Sequence, residues 1–191
     1  VPTPSETASR ANRGPAAGPS NRRALIAAAR EVYAEAGLSA PFSQVAKRAG
    51  VGQGSLYRHF PDRTALALAV FDDNILELEA FAAEPDRTIE DLLDLVADQA
   101  VVSTAFIELL TSGPGEPRVV PLGLRFREVV ARLVDRQHAA GRAASVEIED
   151  VLLATEMLAF VIARTPREGR ADAASRARRL LRAAFEATSR S

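Results

Sequence analysis

Residues 41–60, PFSQVAKRAGVGQGSLYRHF, restrict what this chain can fold into more than any other stretch. Val45, Ala46 and Ala49 make a short apolar face, the pattern breaks at Gly50, and Val51 and Leu56 open a second apolar face. Two short helices meeting at a tight turn fit that spacing. Ala46 is small where the helices must approach closely. Gly50 stands where a helix C-terminus calls for a left-handed residue, which only Gly adopts without strain.

Such a pair is a helix-turn-helix, whose second helix is placed to enter a DNA major groove. That helix is expected from about Gln53 to His59, with Gln53, Ser55, Tyr57, Arg58 and His59 facing outward. Every one of these side chains can hydrogen-bond. Gln pairs bidentately with adenine, Ser reaches base edges or phosphate, and Tyr, Arg and His suit phosphate oxygens. Gly52 and Gly54 leave no side chain to hold the backbone off the duplex. The three glycines also suggest a nucleotide-binding turn, but GVGQGS lacks the GxGxxG spacing and follows a helical pattern instead of a strand. Taken singly, Tyr57 and His59 also suit packing at a helix end, so the DNA assignment rests on the joint placement.

Four motifs surround this core: RALIAAAREVYAEAG (residues 23–37), QVAKRAGV (44–51), GSLYRHF (54–60) and PDRTAL (61–66). In this order and spacing the run resembles the DNA-binding domain of the TetR family of bacterial transcriptional regulators. The resemblance implies an all-α protein of about nine helices. Its N-terminal three-helix DNA-binding domain would span residues 20–66, after a disordered basic arm (1–19). A helical effector-binding and dimerisation domain would span residues 67–191. Family members often open the second helix with Ser or Thr. Here the aligned residue is Pro41, which has no hydroxyl for a phosphate, so Ser43 or Gln44 is expected in that role. Arg63 aligns with a Lys that touches the DNA backbone in the family, and keeps its charge.

Charge supports this division. Through Phe60 there are eight basic and three acidic side chains, a net of +5, which leaves −6 for the remainder of a chain whose total is −1. Basic charge on the motif half releases counterions from phosphate, and an acidic remainder is kept off DNA. Abundant Ala, Leu and Arg with 5% aromatic residues favour helices. The absence of Cys removes disulfides and thiolate metal sites. No apolar run is long enough to span a bilayer and no secretory signal pattern is present, so a cytoplasmic location is expected. In the first nineteen residues, Arg10 and Arg13 fit a minor-groove arm, and an inert tail fits the composition equally.

Helical spacing places a first helix after a cap at Ser20 or Asn21 and ends it at Gly37. A fourth helix, capped by Asp62, is expected to about residue 82, connecting the two domains. Thr88 and Asp91 have the spacing of a capping box. Further helices are expected over residues 102–110, 122–140, 147–165 and 172–188, with TSGPGEP (111–117) as a loop. In position the last two resemble the helices with which family members form a four-helix bundle across a two-fold axis. Leu158, Val161, Ile162, Leu181 and Phe185 are the candidate homodimer contacts.

Phe71, Leu78, Phe81, Phe106, Leu110, Phe126, Met157 and Phe160 lie on helices that surround an effector cavity in similar proteins. Asn74, Gln99, Thr104 and His138 are possible polar anchors. Core packing competes for each of them. The apolar majority points to a small apolar or aromatic effector. Catalysis has little to build on: the histidines are His59 and His138, neither has a second ligand at metal spacing, and GxSxG and P-loop motifs are missing. Neither a metal nor a cofactor is expected. The expected function is a repressor that binds a palindromic double-stranded operator as a homodimer. A DNA-binding regulator without a small-molecule effector is the alternative, and a helical nucleotide-binding enzyme using the turn at residues 50–54 a more distant one.

Overall fold

A computed structural model describes residues 18–102, 117–142 and 145–188. Among these residues are eight α-helices, two 3₁₀ turns and no strand. The expected helix over 102–110 with its loop, and the N-terminal arm, fall largely outside the described residues, together with Thr104, Phe106 and Leu110.

Helix α1 (Gly18–Ala36) starts two residues before the expected cap, so Ser20 and Asn21 lie inside it. Pro19 explains the early start, because the first turn needs no backbone N–H from it. Helix α2 (Phe42–Ala49) ends at Gly50, with φ 66° and ψ 25°. There the Val51 N–H donates to Ala46 O (3.0 Å) and the Gly50 N–H to Lys47 O (3.2 Å), the paired bonds of a Schellman end. A Cβ at Gly50 would meet no atom within 4 Å, so only the backbone angle demands glycine. Gly50→Ala is expected to lower stability by about 1–2 kcal/mol, measurable by denaturant unfolding. An unchanged midpoint would mean that the left-handed corner is not required.

Helix α3 (Gln53–His59) follows. Helix α4 (Arg63–Ala83) is capped by Asp62, which accepts from the Ala65 N–H at 2.7 Å. Helix α5 (Ile89–Val102) has its capping box: the Thr88 N–H donates to Asp91 at 3.0 Å and the Asp91 N–H to the Thr88 hydroxyl at 3.1 Å. Helix α6 (Val120–Ala139) starts two residues earlier than expected, fed by the 3₁₀ turn Pro117–Val119 and with Pro121 in its first turn. Helix α7 (Ile148–Arg164) is opened by Glu147 and Asp150 capping each other. Helix α8 (Arg170–Thr188) follows the 3₁₀ turn Arg167–Gly169.

Helix α1 packs on α2, α3 and α4; α4 lies along α6, and α5 packs on α7 and α8. One apolar cluster runs through all eight helices, passing along α4 by way of Leu66, Val70, Phe71 and Leu78. Arginines from other elements fasten α4 along its length. Arg118 donates to Asp62 at its start (3.1 Å). Arg30 of α1 pairs with Glu77 (3.2 Å) and Asp73 (3.8 Å). Arg125 of α6 grips Glu79 through two 2.7 Å bonds and also pairs with Asp72. The Arg125 guanidinium holds the Glu79 carboxyl below its ordinary range. At the far end Arg136 donates to the carbonyls of Ala82 (2.7 Å), Glu84 (2.7 Å) and Arg87 (3.3 Å). These include oxygens that a helix C-terminus leaves without intrahelical partners. Among the described residues no helix is long and apolar enough to cross a membrane, and no three His, Asp or Glu side chains converge as metal ligands.

Candidate functional site

On α3 only Leu56 is fully buried, anchoring the helix to the apolar core. Gln53, Gly54, Tyr57 and Arg58 are exposed, while Ser55 and His59 are half-buried. At about 100° per residue the four exposed positions share one arc of the helix, and Ser55 and His59 flank the buried side. The outward set expected from sequence therefore divides. Gln53, Tyr57 and Arg58 form the presented edge, whereas Ser55 and His59 are drawn inward, the His59 ring lying 6.4 Å from that of Phe60.

Tyr57 is 55% exposed yet not loose, because its ring stands edge-on to Phe42 of α2 at 5.3 Å. That contact restricts the ring's orientation while leaving its outer face open to solvent. Pro41 sits at the N-cap of α2 and supplies no side-chain cap, so the exposed Ser43 carries the hydroxyl of that first turn. Gln44 is half-buried beside it. Arg63 is exposed at the first position of α4, where its Nη1 donates to Ser39 O at 3.5 Å.

Not all of the basic charge counted in this half faces outward. Arg48 of α2 donates to both Glu31 (2.9 Å) and Glu35 (2.8 and 3.1 Å) of α1, and this pairing pulls the Glu35 carboxyl below its ordinary range. Arg48 thus serves to hold α2 on α1. Arg23, Lys47 and Arg58 are exposed with no ion-pair partner among the described residues, and Arg22 lies over the Phe60 ring at 5.3 Å. In the sequence, Arg22, Arg23 and Lys47 contribute only to the net charge. A usable signal is nonetheless present, since none has an acidic residue three or four positions away on its own helix.

Added Cβ atoms at Gly52 and Gly54 would meet nothing within 4 Å. No packing inside the protein therefore requires these glycines, and Gly54 lies within a helix, where Ala is favoured by roughly 0.5–1 kcal/mol. Gly54→Ala is expected to melt at or above the parent temperature while binding DNA at least tenfold more weakly. Equal DNA binding in an electrophoretic shift assay would show that the backbone does not approach the duplex there.

A second feature lies between α4, α5, α6 and α7, a cavity of about 330 Å³. Phe71, Asn74, Leu78, Gln99 and Phe126 line it as expected, joined by Gly123, Arg127, Leu152, Thr155 and Glu156 among others. Four other residues expected at the cavity from their helix positions lie elsewhere. Met157 is 54% exposed and lines a surface hollow with Leu153, Leu181 and Phe185, so its assignment to the cavity is corrected. Phe160 is 48% exposed under Arg164 (5.5 Å), Phe81 lies under Arg87 (4.9 Å), and His138 Nε2 is 2.9 Å from Val146 O.

The candidate dimer contacts also need correction. Leu158 (1% exposed) and Ile162 (0%) point into the protomer's own core, and Phe185 is buried as well. Of the five, only Val161 is exposed, and Leu181 is half-buried. The exposed apolar stripe of α7 is instead Leu153, Met157, Phe160 and Val161, with Leu180 exposed on α8. Helix α7 is apolar on nearly every side, so periodicity alone does not tell the inner stripe from the outer one.

Residues 25–70 match the family model described as bacterial regulatory proteins, tetR family. No curated protein matches the sequence. Among solved structures, a TetR transcriptional regulator from Streptomyces coelicolor is similar in fold with a TM-score of 0.63 at 24% identity, covering 88% of this chain and 98% of that one. A TetR-family transcriptional regulator from Pectobacterium atrosepticum aligns with a TM-score of 0.61 at 19% identity, over 89% and 94% of the two chains. A TetR transcriptional regulator from a Rhodococcus species is 26% identical, with a TM-score of 0.52 over 85% and 93%. Residues 25–70 are thus a DNA-binding domain of the TetR family, and the greater part of the chain has the fold of TetR-family transcriptional regulators.

Proposed function

We propose that the protein is a cytoplasmic one-component repressor: a homodimer that binds a palindromic operator through α3 and is released when a small apolar or aromatic molecule enters the cavity. The observation that carries this reading is that α4 belongs to both places. It begins at the presented face with Asp62 and Arg63, and two turns later contributes Phe71, Asn74, Ile75 and Leu78 to the cavity wall. In the dimer, Gln53 reads a base edge, Tyr57, Arg58 and Ser43 hold phosphates, and Arg63, Arg22, Arg23 and Lys47 add long-range attraction. The apolar stripe of α7 with Leu180 supports pairing with a second copy across a two-fold axis.

Release works by population shift, since an effector with equal affinity for both conformers changes nothing. A hundredfold loss of operator affinity needs about 2.7 kcal/mol of differential binding. The decisive experiment is selection of bound fragments from a random DNA pool by the purified protein. The expected product is a palindrome whose half-sites lie about one helical turn apart or at a comparable spacing. Recovery of fragments without any shared sequence would overturn the operator reading.

A further inference from the structure

The polar side chains of the cavity are unequally free. The Thr155 hydroxyl is spent on its own helix, donating to Val151 O (3.0 Å) or Leu152 O (2.7 Å). The Gln99 amide donates to Glu77 at 3.4 Å. Arg127 is paired with Glu149 at 2.6 Å, and that contact holds the Glu149 carboxyl below its ordinary range, so the pair stays ionised and neutral overall. Two polar groups remain. The Asn74 amide on α4 and the Glu156 carboxylate on α7 have no hydrogen-bond or ion-pair partner among the described residues. Among the described lining residues the exposed Glu156 is therefore the one charged side chain without an ion-pair partner, and two of the aromatic members are Phe71 and Phe126. Aromatic faces attract cations and repel anions.

We infer that the effector is a cationic hydrophobe, an aromatic or aliphatic amine whose ammonium pairs with Glu156 while its apolar body fills the space beside Phe71 and Phe126. Asn74 then hydrogen-bonds a polar group of the same molecule, which ties the ligand to the helix that leads to the DNA face. The inference rests on the effector-cavity reading proposed above. It also separates ligand classes that the apolar walls alone do not distinguish. A carboxylate would have to displace Glu149 from Arg127 or share the guanidinium while facing Glu156.

Three probes of one shape test it: 4-phenylbutylamine, 4-phenylbutanol and 4-phenylbutyrate, titrated calorimetrically into the full chain at neutral pH. The amine is expected to bind at least tenfold more tightly than the alcohol, and the acid more weakly than the alcohol. Glu156→Gln is expected to bring the amine down to the alcohol's affinity and leave the alcohol unchanged. Gly123→Phe, which projects a ring from an open position on the cavity wall, is expected to abolish binding of all three. Equal affinities, a preference for the acid, or an amine preference that survives Glu156→Gln would overturn the charge assignment while leaving the cavity reading intact. No binding by any probe, or binding that survives Gly123→Phe, would overturn the cavity reading and the inference with it.

Discussion

Tyr57→Ala combined with Arg58→Ala is expected to weaken operator binding about a thousandfold in a protein that remains folded. A charge-assisted hydrogen bond to phosphate contributes about 1.5 kcal/mol at the low end and a neutral one about 0.5. Two half-sites bring the sum to about 4 kcal/mol, or three decades of affinity. The stability side is smaller. Arg58 has no ion pair among the described residues, and Tyr57 gives up one edge contact with Phe42, worth about 1 kcal/mol. The plot of log affinity against log salt should flatten by about one unit for each phosphate contact removed, so by about two for the dimer if Arg58 makes one contact per half-site. Gln53→Ala should act differently, relaxing the preference at one base pair per half-site while the salt slope stays the same. A folded double variant that binds as the parent does would remove α3 as the recognition element.

The second large effect concerns Tyr33, at the heart of the DNA-binding helices. This residue is 2% exposed and its hydroxyl has no hydrogen-bond partner among the described residues. Burial pushes the phenol up to about 12, against a weaker opposing pull from the Arg63 guanidinium. The folded state thus retains a proton that the unfolded chain releases near pH 10. This contribution to stability is fully present below pH 10. It is lost as pH rises from 10 to 12, and amounts to roughly 2–3 kcal/mol over that interval. Tyr33→Phe should remove this alkaline dependence and cost little at neutral pH, because the hydroxyl it deletes bonds to nothing among the described residues. Denaturant unfolding at intervals between pH 9 and 12 measures both; identical pH profiles for parent and variant would contradict the assignment.

How far each determinant can be read from sequence depends on how local it is. The helix-turn-helix is legible because Gly50 fixes the corner through its own backbone, and the Asp62 cap and Thr88–Asp91 box are legible because both partners lie within three residues. Arg48 counts as free charge in the sequence because its partners lie 13 and 17 residues away on another helix. Leu158 and Ile162 pass for an outer face because the inner side of α7 is set by where α5 and α8 press on it. In the cavity, Phe71, Asn74, Leu78 and Phe126 are within reach of a periodicity argument. Gly123, Arg127 and Glu156 become visible only once α6 and α7 are set against α4 and α5.

The row of guanidinium groups that secures α4 has a mechanical corollary. Arg125 and Arg136 both belong to α6, and between them they hold the middle and the far end of α4. A push that displaces one of these helices must carry the other along or break several charged contacts together. The two helices are consequently joined as a stiff two-rod plank, with the Arg118–Asp62 contact a further tie at the start of α4.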